Sequence, residues 1–151
     1  MRIILTMFDV DKLIPHEEFN PVHAVSIANK IAREGIRKPI VVELRTGVIL
    51  DGHHRTAGYK IIRSEYGDYT RIPAYVVDAF AQEIGLETRN SSILSIDEYT
   101  KGVVLFNAIH GYKLPVKTTM WTYKGQPIGK IHDIKDIDSD IEIVKTGLRR
   151  F

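Results

Sequence analysis

Residues 48–60 constrain the fold of this chain more than any other stretch, and they read V-I-L-D-G-H-H-R-T-A-G-Y-K. The apolar run at 48–50 is typical of a short buried strand, and it stops at Asp51 and Gly52. From His53 onward, apolar residues recur at helical spacing. The sequence therefore predicts a sharp strand-to-helix corner, with polar side chains gathered where the helix begins.

The predicted corner has the features of an anion site. A glycine such as Gly52 lets the backbone approach a ligand closely, and the N–H groups of a first helical turn attract phosphate. The guanidinium of Arg55 matches phosphate oxygens in shape and charge. Ordinary interpretations stay open: Asp51 is a helix cap, Arg55 is a surface cation, and the histidine pair is solvated or buried in the core.

Composition favours one compact domain. With 44% hydrophobic and 26% charged residues, 151 residues suffice for one well-packed domain and are few for two, so we expect a single domain over residues 1–151. No apolar run approaches the roughly 20 residues that span a bilayer, and no charged-then-apolar leader is recognised. We therefore expect a cytoplasmic protein without membrane contact. Because the sequence has no cysteine, it has neither disulfides nor thiolate metal sites.

The charge pattern does not favour a nucleic-acid partner. The 21 basic residues are interspersed with 19 acidic ones, giving a net charge of +2. Five acidic residues near the end lack the glycine and final glutamate of a calcium loop, so we predict a solvated acidic face and no protein metal ligands. These residues are Asp133, Asp136, Asp138, Asp140 and Glu142.

The remaining elements are predicted from periodicity and from breakers. Strands are expected at 2–10, 39–44, 48–50 and 72–77, and helices at 22–34 and from 53 to about 66. Later signals are weaker: residues 82–90 show no clear period, and residues 117–119 alone indicate a polar loop. A capping box at 95–98 predicts a helix through about residue 109.

Three short motifs resemble one protein family. D-G-H-H-R at 51–55 resembles the phosphate-binding corner of the ParB/sulfiredoxin superfamily, most closely the archaeal ADP-dependent free L-serine kinases. P-H-E at 15–17 and K-T-T at 117–119 resemble the same kinases. The resemblance implies an α/β (α+β) domain with a small mixed sheet, a core at about 1–80 and a C-terminal helical and loop extension at about 81–151. Sulfiredoxin chemistry is not implied, because it needs a cysteine.

The resemblance also implies an activity. It indicates a nucleotide-dependent phosphotransferase that uses ADP or ATP with Mg²⁺ and acts on a small hydroxyl compound, such as free L-serine. Glu17 is the implied base for the acceptor hydroxyl, Asp51 the second catalytic residue, and His16 a substrate contact. The implied phosphate ligands are Gly52, His53, His54, Arg55, Lys117, Thr118 and Thr119.

Alternatives remain open at the level of sequence. Glu17 alone could be a favourable charge near a helix start. A ParB-like module that binds nucleotide or associates with DNA, without kinase activity, is the rival function. Against it, G-H-H-R differs from the usual G-E-R-R of ParB, and no helix-turn-helix signature follows. A nuclease would need paired metal-binding carboxylates, which the sequence does not offer. The acceptor, the nucleotide and the oligomeric state are left open.

Overall fold

Strands and helices of the N-terminal half follow the predicted order. A computed structural model describes residues 2–36, 38–66, 70–88, 99–115, 119–133 and 141–144. The first elements are β1 (Ile3–Asp9), α1 (Pro21–Glu34), β2 (Ile40–Glu43), β3 (Ile49–Asp51), α2 (His53–Tyr66) and β4 (Arg71–Val77). A short 3₁₀ helix at Val10–Lys12 follows β1. These bounds agree with the sequence-based expectations to within about two residues, as is usual for element ends.

The C-terminal half contains elements that periodicity did not reveal. It comprises β5 (Ile84–Thr88), α3 (Tyr99–Ile109), β6 (Thr119–Tyr123), β7 (Gln126–Pro127), a 3₁₀ segment (Ile128–Asp133) and β8 (Ile141–Val144). Two features differ from the sequence-based expectations. Strand β5 lies within residues 82–90, which show no clear period, and Thr119, expected in a polar loop, begins β6. The predicted helix is present as α3, whereas the capping box at 95–98 lies outside the described residues.

Five strands form one mixed sheet in the order β3-β2-β4-β1-β8. The pairs β2–β4 and β1–β8 are parallel, and the pairs β2–β3 and β1–β4 are antiparallel. This sheet confirms the predicted α/β class. The acidic tail is more than a solvated face, because β8 forms an edge strand, although Asp133 and Glu142 are exposed as expected.

Both faces of this sheet are covered. On one face, Ile40 and Val42 of β2 join a buried cluster with Ile31 of α1 and Ile62 of α2. A second cluster contains Val41, from the opposite face of β2. It also contains residues of α3 and of the antiparallel sheet β5-β6-β7, among them Leu86, Leu105, Trp121 and Tyr123. The corner after β3 is therefore held between two packed layers.

The helices of the described parts of the chain are too short or too polar to cross a membrane. Helices α1 and α2 instead pack against each other at Gly58. A Cβ on this glycine would lie 3.0 Å from the backbone nitrogen of Ala28 and 3.1 Å from the carbonyl oxygen of Ala24. The missing side chain thus lets the two helices approach, which fixes the position of α2 at the corner.

Candidate active site at the strand-to-helix corner

A cavity of about 290 Å³ opens where β3 ends and α2 begins. It brings together three segments that are far apart in the sequence: the 16–18 loop, the 51–55 corner and the start of β6. The predicted site residues that line it are His16, Glu17, Asp51, Gly52, His53, His54, Arg55 and Thr119. Lys117 and Thr118 lie outside the described residues.

The backbone of the corner requires a glycine. Gly52 has a φ of +108°, and a Cβ there would lie only 2.5 Å from Cγ2 of Ile40. Its carbonyl oxygen accepts a 2.9 Å hydrogen bond from the N–H of Thr56, which is the first bond of α2. The N–H groups ahead of Thr56 have no carbonyl partner within the helix, and the positive end of the helix dipole lies there. The cavity is therefore favourable for an anion.

Arg55 makes its contacts inside the protein. One terminal nitrogen donates to the carbonyl oxygens of Lys38 (2.7 Å) and Pro39 (3.0 Å), and the other donates to Oδ2 of Asp51 (2.6 Å). The sequence suggested a guanidinium fork directed at phosphate. The guanidinium joins the residues just before β2 to the corner, because their carbonyl groups lie within its reach. It also lines the cavity, so its contact with phosphate stays a prediction.

The two histidines of the corner position neighbouring backbone segments. Nε2 of His53 lies 3.1 Å from the N–H of His16 and 3.3 Å from the N–H of Glu17, and it can accept from both. Nε2 of His54 accepts from the N–H of Asn20 at 3.0 Å. Burial lowers the pKa of His53 well below its usual range, and repulsion from Lys113 and from the protonated forms of His16 and His54 lowers it further. His53 is therefore a neutral acceptor at pH 7. Its role as a phosphate ligand stays a prediction, as does that of His54.

Glu17 is held by Thr119, which lies 102 residues away in the chain. Its Oε2 accepts a 2.8 Å bond from the N–H of Thr119 and a second, short bond from the Thr119 hydroxyl. Helix α1 is capped not by Glu17 but by Asn20, whose Oδ1 accepts from the N–H groups of Val22 and His23. The carboxylate of Glu17 is thus oriented in the wall of the cavity.

His16 supports the same arrangement from within the core. Its Nδ1 lies 2.6 Å from the carbonyl oxygen of Ile49, so Nδ1 carries the proton. Its Nε2 lies 2.8 Å from Oγ1 of Thr119 and 3.3 Å from Nε1 of Trp121. Burial lowers the pKa of His16, and this effect outweighs Glu17 and the Ile49 carbonyl, which raise it. Both ring nitrogens have protein partners, so His16 positions Thr119. Since His16 also lines the cavity, its contact with substrate stays a prediction.

The neutral form of His16 gives the Thr119 hydroxyl two acceptors for one hydrogen. These acceptors are Oε2 of Glu17 and Nε2 of His16. Sequence reasoning missed Trp121, which donates to His16, and Gly129, which lies against Asp51. No motif spacing indicates either residue. Both depend on β6 and on the 3₁₀ segment folding back onto the corner.

Comparison with known proteins points to one group of enzymes. The chain matches no family model. Over 93 residues it is 38% identical to an ATP-dependent L-serine kinase of Staphylothermus marinus, an alignment that covers 58% of this chain and 35% of that protein. Over 87 residues it is 36% identical to an ATP-dependent L-serine kinase of Desulfurococcus mucosus, covering 54% and 32%. The predicted similarity to serine kinases is confirmed, and the chain spans about a third of the length of these relatives.

A solved structure shares the fold. A free serine kinase in complex with AMP superimposes with a TM-score of 0.61 over 84% of this chain and 90% of that chain. The identity in this comparison is 15%, so the likeness concerns the fold alone. It agrees with the mixed five-stranded sheet described above.

Proposed function

We propose that this protein is a nucleotide-dependent kinase of small hydroxyl compounds, built on a ParB/sulfiredoxin-like fold, with free L-serine as the first acceptor to test. The observation that carries this proposal is the meeting of Glu17, the 51–55 corner and Thr119 around one cavity. The named activity of the two similar serine kinases supports it. Because the matched part of this chain covers only 35% and 32% of those proteins, the activity of this chain needs its own test.

The nucleotide is proposed to lie along the corner and α1. Its terminal phosphates would meet the N–H groups at the start of α2, where the helix dipole favours negative charge. A neighbouring cleft of about 220 Å³ shares Ile27 and Arg55 with the cavity and adds the apolar side chains of Ile31 and Ile36. ADP or ATP matches these two neighbouring surfaces. Its phosphates would lie at the charged corner, and its adenine base would lie against the apolar side chains beside α1.

Lys117 and Thr118 are kept as proposed phosphate ligands. The described residues on either side of them both contact the 16–18 loop. The N–H of Leu114 donates to the carbonyl oxygen of His16 at 2.9 Å, and Thr119 binds Glu17. Ligands supplied by this segment would therefore join the phosphates from the side of Glu17.

Magnesium fits this site only as a partner of the nucleotide. The described residues contain no group of three histidine or acidic side chains that could hold a metal ion. Mg²⁺ usually keeps several waters and uses one or two carboxylates together with substrate phosphates. Asp51, which lines the cavity beside the corner, is the proposed protein carboxylate. The ion would supply neutralisation of phosphate charge.

The proposed reaction is in-line transfer of the terminal phosphoryl group. The acceptor oxygen forms a bond to the terminal phosphorus while the bond from that phosphorus to the bridging oxygen breaks, and the shortened nucleotide leaves. Glu17 takes the hydroxyl proton of the acceptor, and the N–H of Thr119 keeps its carboxylate in position. Most of the rate enhancement in such transfers comes from positioning and charge stabilisation, which the corner provides.

The test is the Glu17→Gln variant, assayed with ATP or ADP, Mg²⁺ and L-serine by phosphorus NMR. Glutamine keeps an oxygen that can accept from Thr119 but cannot take the proton, so we expect turnover to fall by about 10² to 10⁴ fold. Nucleotide affinity, measured by calorimetry, should be retained. Glu87→Gln on β5, which removes an exposed carboxylate, is the matched control.

One result would reject the kinase proposal, and another would reject only the role of Glu17. The first is nucleotide binding by the wild type without transfer to any hydroxy amino acid, which would favour a ParB-like nucleotide-binding module. The second is unchanged turnover in Glu17→Gln, which would remove the carboxylate from the mechanism and leave the kinase activity itself in place. Neither result depends on how tightly the acceptor binds, provided that it is supplied at saturating concentration.

A further inference from the structure

A second cavity of about 220 Å³ adjoins the candidate active site on the side of β6. The two cavities share three wall residues, Leu50, Asp51 and Thr119. Its other walls include Lys38, which precedes β2, and Lys130 of the 3₁₀ segment. A ligand in this second cavity would therefore lie next to the phosphate corner, because the residues between them form the walls of both cavities.

The charges of this cavity favour an anionic ligand. Asp51, its acidic wall residue, is already paired with Arg55 at 2.6 Å. Within the described part of the chain, no ion pair joins Lys38 or Lys130 to a carboxylate. Two lysine residues thus line the cavity without an ion-pair partner among the described residues. A ligand carboxylate would provide that partner.

Gly129 allows the cavity to form. A Cβ at this position would lie 2.8 to 2.9 Å from all three atoms of the Asp51 carboxylate group. The 3₁₀ segment can therefore approach the corner only because residue 129 has no side chain. This approach places the next residue, Lys130, in the wall beside Asp51.

We propose that this second cavity is the acceptor subsite, and that it selects small hydroxy acids by binding their carboxylate to Lys130 and Lys38. This inference rests on the proposed kinase function. The acceptor hydroxyl would point to the shared wall, where Thr119 holds Oε2 of Glu17. The volume is below the usual 300 to 1,000 Å³ of pockets for drug-sized ligands, so it suits a compound of a few carbon atoms.

The experiment compares L-serine with ethanolamine, which has the same amino alcohol but no carboxylate. The wild type, Lys130→Met and Lys38→Met are assayed for phosphate transfer to both compounds. Lys12→Met, which removes an exposed lysine of the first 3₁₀ helix, is the matched control. We expect the preference of the wild type for L-serine, expressed as a ratio of kcat/KM values, to fall about 10- to 100-fold in Lys130→Met, as for the loss of one charge-assisted hydrogen bond. The control should keep the ratio.

A binding measurement separates this inference from the kinase proposal. L-Serine is titrated into each variant in the presence of AMP, so that binding is observed without transfer. If the wild type transfers phosphate to no acceptor but binds L-serine in a manner that depends on Lys130, the subsite stands and the kinase proposal fails. If transfer occurs and neither lysine variant changes the ratio or the L-serine affinity, the subsite is wrong. Absence of L-serine binding with AMP and of a preference for it over ethanolamine would also overturn it.

Discussion

Arg55 shows how one side chain serves both the fold and the charge of the site. It neutralises Asp51 and donates to two backbone carbonyl groups just before β2, yet it lines the cavity. Its side chain is 18% exposed, so these contacts are only partly open to solvent. A planar fork with several donors can make such contacts simultaneously, and an ammonium group cannot.

Arg55→Lys tests this role with the charge retained. We expect a loss of about 1 to 3 kcal/mol in the free energy of unfolding, because the carbonyl groups of Lys38 and Pro39 lose their donors. Nucleotide affinity should also weaken, because Asp51 is no longer held. Urea denaturation and calorimetry measure the two effects. Arg33→Lys, at an exposed arginine of α1, should change the stability by no more than about 0.5 kcal/mol. Equal stability of the two variants would contradict this role.

At the scale of elements, the corner was predictable and its partners were not. The strand, Gly52 and helix α2 follow each other directly in the chain, so local spacing and one glycine suffice to predict them. The partner of Glu17 is Thr119, which is brought to the site by the pairing of β6 with β5 over residues 84–88 and 119–123. Nothing in a polar K-T-T sequence indicates a strand, because the burial of Thr119 comes from these distant contacts.

Gly129→Ala tests the approach of the 3₁₀ segment to the corner. The added Cβ must displace the Asp51 carboxylate or the segment itself, and overpacking of this kind typically costs about 1 to 3 kcal/mol. Gly102→Ala in α3 is the matched control, because a Cβ there has open space. That control should raise stability by about 0.5 to 1 kcal/mol, since glycine is unfavourable inside a helix. Thermal and urea denaturation of both variants measure the difference, and a stabilised Gly129→Ala would contradict the close approach.

At the scale of the whole molecule, the site depends on both halves of the chain. The sequence predicted the order of elements up to β4 and seven site residues in the first 55 positions, all of which line the cavity. It did not predict that the C-terminal half would add β6, the 3₁₀ segment and the edge strand β8. These elements pack through contacts between residues far apart in sequence, for which periodicity gives no signal.

Two histidines of this joined structure should make the stability of the whole domain depend on pH. Burial lowers the pKa of His16 and of His53 in the folded protein from the ordinary value of 6.5. Below about pH 6.5, the unfolded chain binds protons that the folded chain does not, so the free energy of unfolding decreases as the pH falls. The expected slope is about 1.4 kcal/mol per pH unit for each histidine, beginning near pH 6.5 and ending at the lower pKa of the folded state.

The His53→Gln variant distinguishes this effect from general acid denaturation. Glutamine can accept from the N–H groups of His16 and Glu17 but does not titrate, so we expect the slope between pH 6.5 and 5 to flatten by up to one proton, about 1.4 kcal/mol per pH unit. His110→Gln, at an exposed position, controls for the loss of an imidazole as such. Urea denaturation at pH 7.5, 6.5, 5.8 and 5.0 gives the slope of unfolding free energy against pH for the wild type and for each of the two variants. A slope in His53→Gln equal to that of the wild type would mean that His53 is not the neutral acceptor that joins α2 to the 16–18 loop, and the positioning of Glu17 by the corner would have to be reconsidered.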